Sequence, residues 1–285
     1  MPRSRVFFTS YLVPPMKIYC DPLAAFVEIP EKPRRIVSLA SGLTECIVQM
    51  GFPHLIAGVS VWCPNFTPEL EAPIVGDYLS VDEEKLSAVQ PDLLLITTGV
   101  QRGLARKLHK AGLPIYVLPL QNSLHGIFEN IMILGALLDA LPAARALIAR
   151  WQETFATFRM QAPHPRPRVY AEIWFGRHVR MTGGLTFIHD LIEAAGGENL
   201  FGEVRKGYLE LDLAEVERRQ PDIFLVYSEP ELPVQAADLA RERGWNIPTI
   251  QADISPPHNI IHDGPSMMKT LAWLHTQIRH LIAGK

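Results

Sequence analysis

Residues 142–161 read Pro-Ala-Ala-Arg-Ala-Leu-Ile-Ala-Arg-Trp-Gln-Glu-Thr-Phe-Ala-Thr-Phe-Arg-Met-Gln, and this run decides the architecture. It has no internal Gly or Pro after its first residue and is rich in helix formers. Pro142 suits a first helical turn, where its missing N–H costs nothing. Leu147, Ile148, Trp151, Phe155 and Phe158 recur at steps of three and four, so a helix here carries one apolar stripe. Arg145, Arg150, Glu153 and Arg159 sit mostly off that stripe. At about 1.5 Å per residue such a helix reaches roughly 30 Å, the width of a small domain. Ala162-Pro163-His164-Pro165-Arg166-Pro167 then stops it.

On either side of this helix the chain reads as the same unit twice. Gln-Pro-Asp followed by four apolar residues occurs at 90–96 and again at 220–226. Each copy follows a helix with an acidic start and precedes a helix, a Gly and a strand entered through Pro. Short β-rich runs at 36–39, 56–61, 74–76, 93–96 and 114–118 alternate with helical runs in the first half. Runs at 169–173, 223–226 and 248–250 do so in the second. This alternation predicts parallel sheets with right-handed crossovers. The expected fold class is α/β: two Rossmann-like lobes with mainly parallel sheets, joined by one long rigid helix. Residues 1–32 are expected to be an N-terminal arm with an edge strand at 26–29. Residues 33–121 form the N-terminal lobe, 122–163 a helical linker with its spine at about 142–161, and 164–285 the C-terminal lobe.

The 285 residues are 48% hydrophobic and 20% charged, which excludes a disordered chain and allows two sizeable cores. A net charge of −3 argues against nucleic acid or an anionic membrane as partner. Three cysteines without a CxxC cannot make a disulfide framework. No run approaches the eighteen apolar residues of a membrane-spanning helix. Arg3 and Arg5 precede Val6-Phe7-Phe8, but Thr9, Ser10 and Pro14-Pro15 break that stretch and no small-x-small site follows. The N-terminus therefore carries no convincing export signal, which leaves a cytoplasmic location open.

In parallel α/β sheets ligands gather outside the carboxyl ends of the strands. Those positions hold Ser41, Trp62 and Tyr78 in the first half, and Trp174, Phe175, Thr182, Tyr208 and Asp253 in the second. Five aromatics among them suit a large, flat, partly apolar ligand, with core packing as the competing role of each. The sequence lacks GxGxxG, a P-loop, GxSxG and HExxH, so no catalytic residues are assigned. Ser41 reads as a helix-start hydroxyl rather than a nucleophile. His258, His262 and Asp263 are the one metal-like cluster, but Pro256-Pro257 and Gly264-Pro265 frame it as a loop. His262 is kept as a ligand contact and no metal site is expected. His109, His275 and His280 read as surface groups on helices.

Arg35-Ile36-Val37-Ser38-Leu39-Ala40-Ser41-Gly42-Leu43-Thr44-Glu45, Val75-Gly76-Asp77 and Glu84 to Asp92 resemble the Fe³⁺-siderophore/vitamin B12 class of ABC-importer substrate-binding proteins. Gly183 to Phe201, with Gly196-Gly197-Glu198-Asn199, is similar to the second-lobe signature of that class. The similarity covers roughly residues 33–283. It implies two α/β lobes joined by one rigid helix, a non-enzymatic carrier, a permease and ATPase complex as partner, a monomer, and a periplasmic or extracytoplasmic location. Val59-Ser60-Val61-Trp62 to Pro64, then Asp77-Tyr78, is similar to the cobalamin-binding branch, where aromatics matching Trp62, Tyr78, Phe175 and Tyr208 line a corrin cleft between the lobes. The resemblance also implies one docking carboxylate per lobe. Glu84, eight residues before Asp92, fits the first; Ala214 stands at the second position, with Glu215 beside it. Cobalamin is thus the expected ligand, and no cofactor acts as catalyst. A ferric siderophore or haem is the same-class alternative, with Arg102, Arg177 and Arg180 as the available cations. A cytosolic two-domain α/β enzyme or corrinoid-handling protein is the different-class alternative.

Overall fold

The computed structural model describes residues 15–283 of the chain. The stretch from Arg3 to Pro14, weighed above as an export signal, lies outside the described residues. β1 (Met16–Cys20) and β2 (Ala25–Ile29) form an antiparallel hairpin. The segment expected as an arm is therefore structured from residue 16. Val27 and Ile29 alternate inward along β2, which lies against the last strand of the first sheet.

The elements that follow are β3 (Ile36–Ser38), α1 (Ser41–Gln49), β4 (Ile56–Ser60), β5 (Ile74–Gly76), α2 (Glu83–Ala88), β6 (Leu93–Thr97), α3 (Arg102–Lys110) and β7 (Ile115–Leu118). Strands β3 to β7 make one parallel sheet in the order β5-β4-β3-β6-β7. All five residues of β6 are buried, as a continuous apolar run demands when helices cover both faces of a sheet. Next come α4 (Leu124–Leu137) and α5 (Leu141–Met160). Ala144, Leu147, Trp151 and Phe155 of α5 are buried, while Arg145, Arg150, Glu153 and Arg159 are exposed. The stripe read from the sequence is thus the face that packs. At Gly135 an added Cβ would stand 2.5 Å from the Ala144 methyl, so glycine lets α4 approach the start of α5.

The rest of the chain is β8 (Arg168–Phe175), β9 (His178–Thr182), α6 (Phe187–Ala194), β10 (Glu198–Asn199), β11 (Tyr208–Leu209), α7 (Leu213–Arg219), β12 (Ile223–Ser228), α8 (Ala236–Glu242), β13 (Thr249–Ala252) and α9 (Met267–Ala283). Its sheet runs β11-β9-β8-β12-β13, with β10 pairing beside β8. β8, β10, β12 and β13 are parallel, and β9 and β11 are antiparallel additions. Trp174 and Phe175 were expected in an exit loop; they lie in β8 itself. The two-residue turn Gly176-Arg177, with Gly176 at φ +54°, folds the strand back as β9 and so prolongs the ladder past residue 173.

The chain divides into two compact units. One comprises residues up to Leu120 with Glu129–Leu147, and the other Gln121–Phe128 with residues from Ile148 onward. The mixed α/β architecture expected from the sequence is therefore present.

Each Gln-Pro-Asp copy makes the same latch. Gln90 and Gln220 both take the left-handed conformation, at φ +42° and +53°, where their helices end. Asp92 then accepts the backbone N–H groups of Arg34 and Arg35 at 2.7 and 2.9 Å, and Asp222 accepts that of Arg168 at 2.8 Å. In return the Arg35 guanidinium donates to Val89 O, and that of Arg168 to Arg219 O, the carbonyl just before each Gln. Arginine thus satisfies an orphan carbonyl at a helix end, where its charge also suits the dipole.

Candidate functional site

In the first unit the site candidates converge at the carboxyl ends of β3, β4 and β5. Trp62 follows β4 and Tyr78 follows β5. Their rings stack with centroids 5.9 Å apart and planes 14° from parallel. Ser41 opens α1, is buried, and its Oγ lies 3.3 Å from the Tyr78 hydroxyl. Tyr78 sits on a turn built by Asp77, whose carboxylate accepts the N–H groups of Leu79 and Ser80 at 2.6 and 2.7 Å. Those bonds, that of Leu79 first, hold the Asp77 carboxyl below the usual carboxylate range. Gly76 makes the turn possible, since a Cβ there would meet Ser80 O at 2.4 Å. Val61 and Leu79 adjoin the ring residues in the chain, Val100 and Leu120 follow β6 and β7 at the same end of the sheet, and all four stay exposed, the last three at 72%, 72% and 54%. Exposed apolar groups grouped in this way mark a surface that meets something other than water.

Cys63, the residue after Trp62, sits in a buried polar cluster. Ser38, Thr44, Ser60 and Cys63 are all wholly buried. Thr44 Oγ1 lies 2.8 Å from Ser38 Oγ and 3.2 Å from Cys63 Sγ, and Ser60 Oγ is also 3.2 Å from that sulfur. Burial pushes the Cys63 thiol up, so it stays a neutral packing and hydrogen-bonding group.

In the second unit the expected residues divide by strand alternation. Register pairs Glu172 with Met181 and Phe175 with His178 across β8 and β9, and Thr182 with Tyr208 across β9 and β11. Phe175, Thr182 and Tyr208 therefore share one face of the sheet, and Trp174 the other. Phe175 and Tyr208 meet edge to face at 5.4 Å. Tyr208 is 41% exposed; partial desolvation pushes its phenol up to about 12, and it stays a neutral donor, as an ordinary tyrosine does near neutral pH. Thr182 is buried, and its hydroxyl has no hydrogen-bond partner among the described residues. Gly183 and Gly184 leave no room for a Cβ against the carbonyls of Lys206 and Gly202, which zips this loop to the turn before Tyr208.

Trp174 packs on the core cluster of Tyr170, Met181 and Phe224. Its indole N–H is spent on Glu172 at 2.8 Å. Glu172 is fully buried and also receives the Tyr170 hydroxyl at 2.6 Å and the two terminal nitrogens of Arg243 at 2.7 and 3.0 Å. That guanidinium lies over the rings of Phe224 and Trp245. Glu172 was passed over in the sequence, although a lone acid within Val-Tyr-Ala-Glu-Ile signals a buried charge that needs partners. Cys63 carried no comparable signal.

Asp253 turns its carboxylate onto its own loop, accepting Ser255 N–H at 2.7 Å and lying 3.6 Å from His258 Nδ1. His258 rests on the Trp273 ring, and His262 is buried. His275, expected at the surface, is buried instead; it meets Phe158 and lies 3.0 Å from Ala195 O. The interior of α9 explains this, since His275 falls on the same helical face as Leu271, Leu274 and Ile278. Among the described residues no three His, Cys, Asp or Glu side chains gather to hold a metal ion.

The two docking candidates differ. Glu84 is exposed in the first turn of α2, with its side chain toward solvent. Glu215 is clamped by Arg218 at 2.6 and 2.7 Å and by Arg219 at 2.7 Å, which lowers its carboxyl to about 2. Two surface depressions of the second unit are lined by neither Phe175 nor Tyr208. One, about 620 Å³, is lined by Pro256, Pro257 and Trp273, and another, about 520 Å³, by Arg166, His189 and Glu193.

With this geometry in place, residues 36–253 match the family described as periplasmic binding protein, and the chain belongs to that family. Its members are binding components of transport, not enzymes. A cobalamin-binding protein of Halobacterium salinarum is 26% identical over 206 residues, which are 70% of this chain and 55% of that protein. The chain thus spans about half the length of that relative. A vitamin B12-binding protein of Vibrio campbellii is 25% identical over 194 residues, 67% of this chain and 70% of that one. Among solved structures, the periplasmic haem-binding protein HutB of Vibrio cholerae superposes with a TM-score of 0.71 at 20% identity, over 86% of this chain and 98% of that one. The vitamin B12-binding protein BtuF of Vibrio cholerae gives 0.62 at 19% identity, over 88% and 98%. Among the described residues no helix is long and apolar enough to cross a membrane.

Proposed function

We propose that the chain is the substrate-binding component of an ABC importer and that its cargo is a corrinoid, cobalamin in the first instance. The observation that carries this reading is the stacked Trp62–Tyr78 pair at the carboxyl ends of the first sheet, with Ser41 on the Tyr78 hydroxyl. Two near-parallel rings flanked in the chain by exposed Val61 and Leu79 offer a flat apolar platform to a macrocycle. Burial at about 25 cal/mol per Å² supplies most of the affinity. Phe175 and Tyr208 offer a second aromatic pair, with Tyr208 as a neutral hydrogen-bond donor. Trp174 and Asp253 act within the second unit, holding its strand and loop through Glu172 and Ser255. Cobalamin-binding relatives that match about two thirds of the chain support the same ligand class.

The partner on this reading is a permease with its ATPase, the working location extracytoplasmic, and the carrier a monomer. Glu84 is the docking carboxylate of the first unit; Glu215, already held by two arginines, is a poor second one. Calorimetric titration of the purified protein with cyanocobalamin, haemin and a ferric siderophore tests the ligand. Saturable one-to-one binding of cyanocobalamin alone is expected. Binding of haemin or the siderophore with no heat from cyanocobalamin overturns the corrinoid assignment.

A further inference from the structure

The platform residue Trp62 has no hydrogen-bond anchor for its indole among the described residues, unlike Trp174 with its Glu172. Its backbone, however, is pinned on both sides. Before it, Val61 N–H bonds Gly76 O at 2.9 Å, tying the end of β4 to β5. After it, Cys63 is held twice. Its carbonyl accepts the N–H groups of Phe66 and Thr67 and the Thr67 hydroxyl, each at 3.0 Å. Its thiol lies 3.2 Å from both Ser60 Oγ and Thr44 Oγ1, and 3.8 Å from Ser38 O.

These partners come from three elements: β3, which precedes Ser41, α1, which begins with it, and β4, which leads into Trp62. Ser38 ends β3. Thr44 lies in the first turn of α1, three residues after Ser41, and its hydroxyl is 3.0 Å from Ala40 O. Ser60 ends β4, two residues before Trp62. One sulfur therefore links the turn bearing Trp62 to the helix start bearing Ser41, the residue that meets Tyr78. The cluster contains no ionised group and is wholly buried, so it neither binds ligand nor reacts. What it can do is fix geometry, because each unmade bond in it would leave a buried polar atom unsatisfied.

We infer that Cys63 is the positioning residue of the ligand platform: through Ser60, Thr44 and Ser38 it sets the ring of Trp62 against Tyr78 before ligand arrives. The inference rests on the corrinoid-platform reading for its affinity consequence, and on the geometry of the free protein for its structural one. A pre-set ring loses less freedom on binding, and that is where the affinity gain arises.

The test uses the full chain labelled with 5-fluorotryptophan, whose five tryptophans give separate ¹⁹F resonances, with Trp62 assigned by Trp62→Phe. Cys63→Val keeps the volume and removes the polar sulfur; Cys63→Ser restores a donor and acceptor. In the free protein, Cys63→Val is expected to shift or split the Trp62 resonance while the other four stay in place. Cys63→Ser is expected to return it towards the wild-type position. Cyanocobalamin affinity should fall about tenfold in Cys63→Val and recover most of that in Cys63→Ser. Should Cys63→Val fail to fold, Ser60→Ala breaks the same contact from the other side. An unmoved Trp62 resonance, or equal movement of all five, overturns the inference. A moved resonance in a protein that binds no cyanocobalamin upholds the positioning and overturns only the choice of ligand.

Discussion

The two units hold their aromatic residues with opposite chemistry. In the first, hydroxyls and one neutral thiol lock the backbone on either side of Trp62, and an aspartate turn carries Tyr78. In the second, a fully buried carboxylate, itself paired with a guanidinium, accepts the Trp174 N–H and holds the ring against the core. Yet the frames are alike: each has a parallel core sheet whose central strand is latched by an Asp and an Arg to the helix ending in Gln-Pro. The comparison teaches that a repeated frame can be retained while the groups it displays diverge. The frame is set by backbone hydrogen bonds that any copy must satisfy, whereas the displayed rings answer to local chemistry.

The largest way to break this comparison is Glu172→Ala. Removing one partner of a buried ion pair leaves the Arg243 charge uncompensated, and about 3–5 kcal/mol of stability should be lost in urea unfolding. Replacing Glu172 and Arg243 together by Met and Leu should cost less, the remaining loss coming from the Tyr170 and Trp174 donors left without their acceptor. The first unit offers no substitution of that size in its cluster, because every group there is neutral.

Next in size is the contrast between two tryptophans. Trp62→Ala should weaken cyanocobalamin binding about thirtyfold, roughly 2 kcal/mol, with little change in stability. Trp174→Phe should do the reverse, costing about 1 kcal/mol of stability through the lost bond to Glu172 and leaving affinity within a factor of two. Calorimetry and urea unfolding on both variants decide it. Equal affinity losses would place Trp174 in the ligand surface after all.

Asp92→Ala and Asp222→Ala sharpen the common half of the comparison. Each removes the acceptor of a strand-start N–H, and each should cost about 1–2 kcal/mol. Similar values mean that the two latches are equivalent in energy as well as in geometry. The smallest effect belongs to Thr182→Val, which removes a buried hydroxyl without a partner. Stability should stay within about 0.5 kcal/mol or rise slightly, since no hydrogen bond is lost. A clear fall in affinity in this variant would mean that the hydroxyl meets the ligand.

The sequence by itself determined the α/β class, the doubled Gln-Pro-Asp frame and the helix now placed at Leu141–Met160, because periodicity and helix-stop signals are local. It also brought Ser41, Trp62 and Tyr78 forward, since strand ends are legible in short apolar runs. Only the tertiary structure decided that Trp174 faces away from Phe175. That outcome depends on a hairpin whose register fixes alternate faces, and the two residues after Phe175 hardly announce it. Nor could spacing reveal that Cys63 reaches Thr44 nineteen positions earlier, or that Glu172 meets Arg243 seventy-one positions later. Local pattern reports which way a chain runs. What a side chain touches across the fold is settled by packing, where burial compels each polar group to find its partner.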